Sequence, residues 1–463
     1  MAMTLSLLAG CTVVGPDFVA PQPELPAAFR EARGPAPTPE QLAFWWQRFH
    51  DPELNRLVTA ALAANRELAA AEARVREARA LRAATEGREL PGVNLSASAV
   101  RSHESAETLS GQNLQRAGEH LTNNLLRAGL DAGWELDLFG GVRRAVEAAE
   151  ADAVAAEAAR LAVQTSVAAD TAGAWLELRG LARELAAVQR NLDAQRASWQ
   201  LVRDRQAAGM AADLDLARAE AQVASTAAAI PPLRAAMRQT AYRLEILSGR
   251  TPGSDTARLL SAAPLGATDW PDPPAGVPAE LLRRRPDVLR AEAELAAASA
   301  RIGVAEAELY PKLTLSGTLG IAATQVSNLG PSGAQTWSFG PALSLPIFEG
   351  GRLRSVVAAR EAALDGARAR YEQTVLGAVG EVETAAASLT ETRARRAALV
   401  RSLAALQRAL GHADDRYRAG VSSFLDVLDA QRALFVTEIE VARADRDLAA
   451  AQVRLHKALG QGW

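Results

Sequence analysis

Residues 126–138 alternate. Leu126, Ala128, Leu130, Ala132, Trp134, Leu136 and Leu138 fall on one side of an extended chain, and Arg127, Asp131, Glu135 and Asp137 on the other. A period of two predicts a strand with one apolar and one polar face. Residues 337–347 repeat the pattern, with Trp337, Phe339, Leu343, Leu345 and Ile347 opposite Ser338, Gly340 and Ser344. Shorter runs at 93–100 and 312–320 add two more strands; in the latter Leu313, Leu315 and Leu319 oppose Thr314, Ser316 and Thr318. The longer runs reach the roughly 9–11 residues that a tilted strand needs to cross a bilayer. Four strands cannot close a membrane barrel, whose smallest usual size is about eight. The pattern therefore predicts a barrel shared among subunits. Pro341 and Pro346 lack the ladder N–H and are expected at a strand end, a bulge or an edge.

A different period governs the rest. No proline occurs from Gly141 to Ala208 or from Gly351 to Gly420. About 67 helical residues at 1.5 Å each span roughly 100 Å. Leu178, Leu185, Leu192 and Trp199 are seven apart, with Leu181, Val188 and Val202 at companion positions. Adding 211 gives Leu389, Arg396, Leu403 and Leu410, with Leu399 and Leu406. Leu216, Val223, Ile230, Met237 and Leu244 answer Val427, Leu434, Val441, Leu448 and Leu455 in the same way. Such heptads predict coiled-coil packing. Pro231-Pro232 must interrupt its helix, and nothing matches it at 442–443.

The halves correspond throughout. "LPGVNLSASA" (90–99) answers "YPKLTLSGTL" (310–319), and "WELDLFGGVRR" (134–144) answers "LSLPIFEGGRLR" (343–354). The offset drifts from 220 to about 210 and settles at 211. Repeats this long point to a duplicated domain rather than a solenoid. The organisation expected is a partial signal peptide at 1–10, an extended tail at 11–49, a first repeat at 50–248, a Pro/Gly-rich connector at 249–278 and a second repeat at 279–463. Each repeat runs helix, strand, loop, strand, long helix, turn, long helix.

Composition narrows the function. Aromatic residues make up 5% of the chain and the formal net charge is −3. The first fits long helices, and with no basic block a nucleic-acid partner is not expected. The five histidines at 50, 103, 120, 412 and 456 have no ligand spacing and are expected at the surface. No phosphate loop or catalytic triad is legible, so neither enzyme activity nor a bound metal is expected. Trp45 and Trp46 are read as packing residues.

The single cysteine, Cys11, ends "LLAGC" and precedes a Pro-rich stretch. This resembles a lipobox, in which the cysteine receives a thioether diacylglycerol and an N-acyl chain. The ten residues before it contain no Lys or Arg. Thr12, not Asp, follows the cysteine, which in the sorting rule this resembles favours the outer membrane.

One feature of the helices resists a purely structural reading. In "YRAGVSSFLDVLDAQ" (417–431), Asp426 and Asp429 stand three apart on one helix face, where like charges repel. Gly209 and Asp215 are their equivalents of Gly420 and Asp426 in the first repeat. From the residues alone these are solvated charges at a helix N-terminus, favoured by its dipole.

Taken in order, "LAGC", "GPDF", "PELPAAF", "LRRRPDV", "AELYPKLTLSG", "LPIFEGGR", "YRAGVSSFLDVLDAQR" and "LGQGW" make the chain resemble TolC/OprM-type outer membrane factors of the NodT-like lipoprotein branch, from Leu8 to Trp463. The resemblance implies a mixed α/β membrane protein. Three protomers of four strands would form one outer-membrane barrel, continuous with a periplasmic α-helical barrel. It implies a passive exit duct for small molecules, working with a periplasmic adaptor protein and an inner-membrane pump of the RND type. Asp426 and Asp429 match positions lining the periplasmic aperture, where a ring of carboxylates would attract cations. Tyr417 matches a position that latches neighbouring coils, and Asp215 its partner region. Ser422 stands where some relatives carry Arg, and Leu214 where some carry a hydroxyl residue, so those latch partners do not transfer. Gly209, Met210, Gly420, Val421 and Ser422 form the expected adaptor-facing tips. Two other readings stay open: an exit channel for type I secretion, and a structural coiled-coil lipoprotein without a pore.

Overall fold

The computed structural model describes residues 13–32, 38, 42–266, 270–330 and 332–463, and only the backbone of 281–283. Cys11, Thr12 and the predicted signal segment lie outside the described residues. Two compact units interleave along the chain. The first draws on 75–155 and 291–371 with the N-terminal residues up to Pro21, and the second on 22–74, 156–290 and 372–463.

The first unit contains the sheet. β1 (Gly92–His103), β2 (Thr122–Leu136), β3 (Lys312–Ala323) and β4 (Gln335–Ser344) form an antiparallel meander in the order β1-β2-β3-β4. Register carries the alternation across all four strands. Leu95 faces Leu130, Leu130 faces Leu319, and Leu319 faces Trp337. One residue along, Asn94, Asp131, Thr318 and Ser338 form a polar row. No described residue covers either face: β1 is exposed along its whole length, and Leu95, Leu319, Trp337 and Phe339 are 78%, 61%, 72% and 82% exposed. The strands outrun the alternating stretches at 93–100 and 312–320, because ladder pairing continues through polar residues such as His103, opposite Thr122. β4 stops at Ser344, three residues short of the predicted 347, and Pro346 lies beyond it. Pro341 lies inside β4, the outermost strand of the sheet within one chain, opposite Leu315.

The "GPDF" motif anchors the N-terminal segment in this unit. Val14 N–H donates to Phe139 O at 3.0 Å. The Arg144 guanidinium, 5% exposed, reaches the Val14 and Gly15 carbonyls and the Asp17 carboxylate at 3.0, 3.0 and 2.7 Å. Gly15 has φ +86°, and a Cβ there would come 2.3 Å from the Gly303 Cα, so only glycine fits.

α-Helices make up most of the rest of the described residues. α1 (Pro52–Ala64) and α2 (Arg66–Glu86) precede β1, and α3 (Leu109–Arg116) lies in the β1–β2 loop. α4 (Gly141–Ala207) follows β2, then α5 (Asp213–Ala228), α6 (Ile230–Leu247) and α7 (Thr256–Leu260). α8 (Pro278–Arg284) and α9 (Pro286–Ala307) precede β3. α10 (Arg352–Arg418) and α11 (Phe424–Ala458) close the chain. α4 and α10 are both 67 residues long, with bounds 211 apart. α11 runs 35 residues unbroken, whereas its counterpart divides at Ala229 into α5 and α6. Pro231-Pro232 sits in the first turn of α6, where a missing N–H is least costly.

The second unit holds the hydrophobic clusters of the described residues. Trp45, Trp46, Phe49, Leu54, Trp175, Leu178, Leu244 and Val453 form one of them, which confirms the tryptophans as packing residues. Asp51 caps α1 through the Glu53 and Leu54 amides and also accepts from the Trp175 indole at 2.7 Å. Arg285 of "RPDV" is buried and binds Asp287, Glu381 and the last carbonyl of α11, Ala458 O, at 2.5, 2.7 and 2.9 Å. Gly460, at φ +69°, passes close under Arg285, which accounts for the glycine of "LGQGW".

One expectation fails here. His456 is not at the surface but 1% exposed. Its ring stacks on Trp45 at 4.6 Å and its Nδ1 donates to Gln461 Oε1 at 2.6 Å. The tail folds back after α11 and supplies that partner, a local return that a search for ligand spacing does not detect.

Candidate functional site

The two helix-turn-helix tips close in the same way. α4 ends with Gly209 at φ +72°, its N–H bonded to Gln206 O at 2.9 Å and the Met210 N–H to Arg205 O at 2.8 Å. α10 ends with Gly420 at φ +73°, its N–H bonded to Tyr417 O and the Val421 N–H to Arg416 O, both at 3.0 Å. Both are Schellman stops, in which a left-handed glycine turns the chain and satisfies orphan carbonyls. Beyond the glycines, Met210 and Val421 are 70% and 67% exposed. Ser422 is half-buried, and its hydroxyl makes no hydrogen bond.

Two faces of α11 separate at once. Phe424, Val427, Leu428 and Gln431 are buried. Phe424, Val427 and Leu428 join Val202, Ala219 and Tyr417 in one hydrophobic cluster. Asp426 and Asp429 lie on the other face and are both exposed. The Ser423 N–H donates to Asp426 Oδ2 at 3.2 Å, so Asp426 also helps cap α11. The spacing Ser423-x-x-Asp426 was the available signal for this role, and sequence reasoning passed over it. The solvated-charge reading of Asp426 is thus correct as far as one chain goes, and leaves its second oxygen and all of Asp429 on an open face.

Tyr417 is 8% exposed and is held within its own chain. The Arg205 guanidinium lies 4.5 Å above its ring, and Phe424 packs at 5.6 Å. Asp215 is not brought to Tyr417. It pairs with Arg218 on its own helix at 3.8 Å. The contacts that tie the hairpins together are others: Gln206 to Asp213 at 2.9 Å, Gln431 to Ser198 at 2.8 Å and Arg432 to Gln222 at 2.8 Å. Neither these nor Arg205 were found by sequence reasoning. Their one trace is the offset of 211, which puts Arg205 level with Arg416, one residue from Tyr417.

Among the described residues no cluster of His, Cys, Asp and Glu could hold a metal. No described helix is long and apolar enough to cross a membrane. What the arrangement offers is a pair of glycine-turned tips with exposed apolar residues, and beside them two exposed carboxylates on one helix face.

The family model for outer membrane efflux proteins matches the chain twice, at 57–250 and 277–461. Nodulation protein T of Rhizobium leguminosarum bv. trifolii is 35% identical over 458 residues, covering 99% of this chain and 96% of that protein. Outer membrane protein OprJ of Pseudomonas aeruginosa is 34% identical over 429 residues, covering 90% and 86%. The solved structure of the outer-membrane channel OprN superimposes with a TM-score of 0.88 at 37% identity, covering 97% of this chain and 99% of that one.

Proposed function

The chain belongs to the outer membrane efflux protein family and is a channel of the outer membrane; from that premise we propose that three copies close a twelve-stranded barrel, forming a passive duct gated at the helix-turn-helix tips. The observation that carries this reading is the sheet. Its apolar rows suit lipid, its polar rows suit a water-filled lumen, and its β1 and β4 edges pair with no other described residue of the chain. The two matches to the family model and the paired 67-residue helices support an origin by duplication.

In this reading small molecules enter at the tips and leave through the barrel. The exposed Met210 and Val421, with Gly209, Gly420 and Ser422, meet a periplasmic adaptor protein, and an inner-membrane pump of the RND type supplies the substrate. Asp426 and Asp429 from three copies ring the aperture and favour cations. Tyr417, held by Arg205, stiffens the hairpin behind that ring, and Asp215 flanks it on α5. Cys11 carries the lipid.

The test is planar-bilayer recording of the purified protein beside Asp426→Ala/Asp429→Ala. The expected result is a small cation-selective conductance that the double variant enlarges or renders non-selective. A conductance unchanged by the variant would move the gate away from these carboxylates.

A further inference from the structure

The unpaired edges can be given a register. Within the chain, β2 and β3 form the junction between the two halves: the second strand of the first half pairs with the first strand of the second. Between copies, β4 would meet β1, again a second strand against a first. The motif correspondence carries β3 onto β1 at an offset of 220, since "YPKLTLS" answers "LPGVNLS". It carries β2 onto β4 at an offset of 209, since Leu138-Phe139 answers Ile347-Phe348. The observed pairs Trp134↔Leu315, Asp131↔Thr318 and Ala128↔Ile321 then translate directly.

We infer that β4 of one copy pairs antiparallel with β1 of the next so that Leu343 faces Leu95, Gly340 faces Ser98 and Trp337 faces Arg101. The inference rests on the proposed assembly and adds its register. Three features of the resulting pairing are favourable. Faces match: Leu343, Phe339 and Trp337 continue the apolar side of β4, and Leu95 lies on the apolar side of β1. Trp337, 72% exposed, gains a guanidinium beside its ring. The stack of Phe139 on Tyr310, at 4.7 Å within the chain, translates to Phe348 against Leu90 of the next copy, and these two are 89% and 69% exposed here. The halves are not identical along this ladder: Gly129↔Gly320 becomes Ser338 opposite Val100, and Asp131↔Thr318 becomes Gly340 opposite Ser98.

A slip by one residue would turn apolar side chains into the lumen, so competing registers differ by two. They place Gly340 opposite Ser96 or Val100. Directly opposite residues have Cα atoms about 4.5–5.5 Å apart and diagonal ones about 7–8 Å. A disulfide needs about 4.4–6.8 Å, so cysteine pairs distinguish the registers. Gly340 suits the test, because a Cβ there meets no atom within 4 Å. Gly340→Cys/Ser98→Cys, oxidised in isolated outer membranes, is expected to give covalent oligomers on a non-reducing denaturing gel at least tenfold more than Gly340→Cys/Ser96→Cys or Gly340→Cys/Val100→Cys. The second in-register pair, Ala342→Cys/Ser96→Cys, should behave like the first. The single-cysteine variants control for Cys11, and heat-modified mobility under reduction controls for folding. Preferential bonding of either slipped pair, or no bonding in any pair of an oligomer that is intact by native mass spectrometry, would overturn the register with the assembly left standing. A monomer without bonds would overturn the assembly and the register with it.

Discussion

Asp426 answers to two constraints, one within the chain and one proposed between copies. Within the chain it receives the Ser423 amide and begins α11. Its neighbour on the same face, Asp429, does no such work, and a helix gains nothing by stacking like charges. That residual cost is what a family resemblance could interpret and a single sequence could not. His456 teaches the opposite lesson, because nothing in its spacing marks it. Burial pushes it down to about 4; the Gln461 hydrogen bond opposes this and the Arg48 charge adds to it. Its folded pKa lies below the unfolded value of about 6.5. The unfolded chain therefore binds the extra proton first on acidification. Stability contributed by neutral His456 is full above pH 6.5 and is lost as pH falls toward 4, by up to about 3 kcal/mol. Thermal unfolding of His456→Gln should show a flatter pH dependence between these limits than the native protein. An equal slope in both would assign the acid sensitivity elsewhere.

Periodicity made the elements legible in proportion to their regularity. The long helices fell where the heptads and the absence of proline put them, and the tips where Gly209 and Gly420 stand. Strand ends were less legible, because ladder pairing extends β1 to His103 past its alternation, while β4 ends at Ser344 before Pro346. Tip contacts such as Gln206–Asp213 depend on how two helices approach, which no single-helix pattern encodes. The glycines allow a paired test. Gly420 has positive φ and Gly411 is an ordinary helical residue, and neither Cβ would meet an atom within 4 Å. Gly420→Ala should destabilise the tip by roughly 1–2 kcal/mol through its backbone alone, and Gly411→Ala should stabilise α10 by about 1 kcal/mol. Amide exchange at residues 417–423 reads both. Equal protection in the two variants would contradict the left-handed stop at Gly420.

The whole molecule was legible as parts rather than as an assembly. Alternation exposed the strands, and their small number implied that one chain does not finish the barrel. Apolar residues lie uncovered on the sheet, while the hydrophobic clusters lie in the helical unit. Copy number decides what such a sheet can do. One copy leaves open edges in lipid, which the bilayer does not tolerate. Two copies give eight strands, an interior that side chains fill. Three leave a lumen. Native mass spectrometry of the detergent-extracted protein, released from detergent in the gas phase, counts the copies directly. Three chains per particle are expected, falling to one only on heating. A particle of one or two chains, with its strands still folded, would contradict the duct.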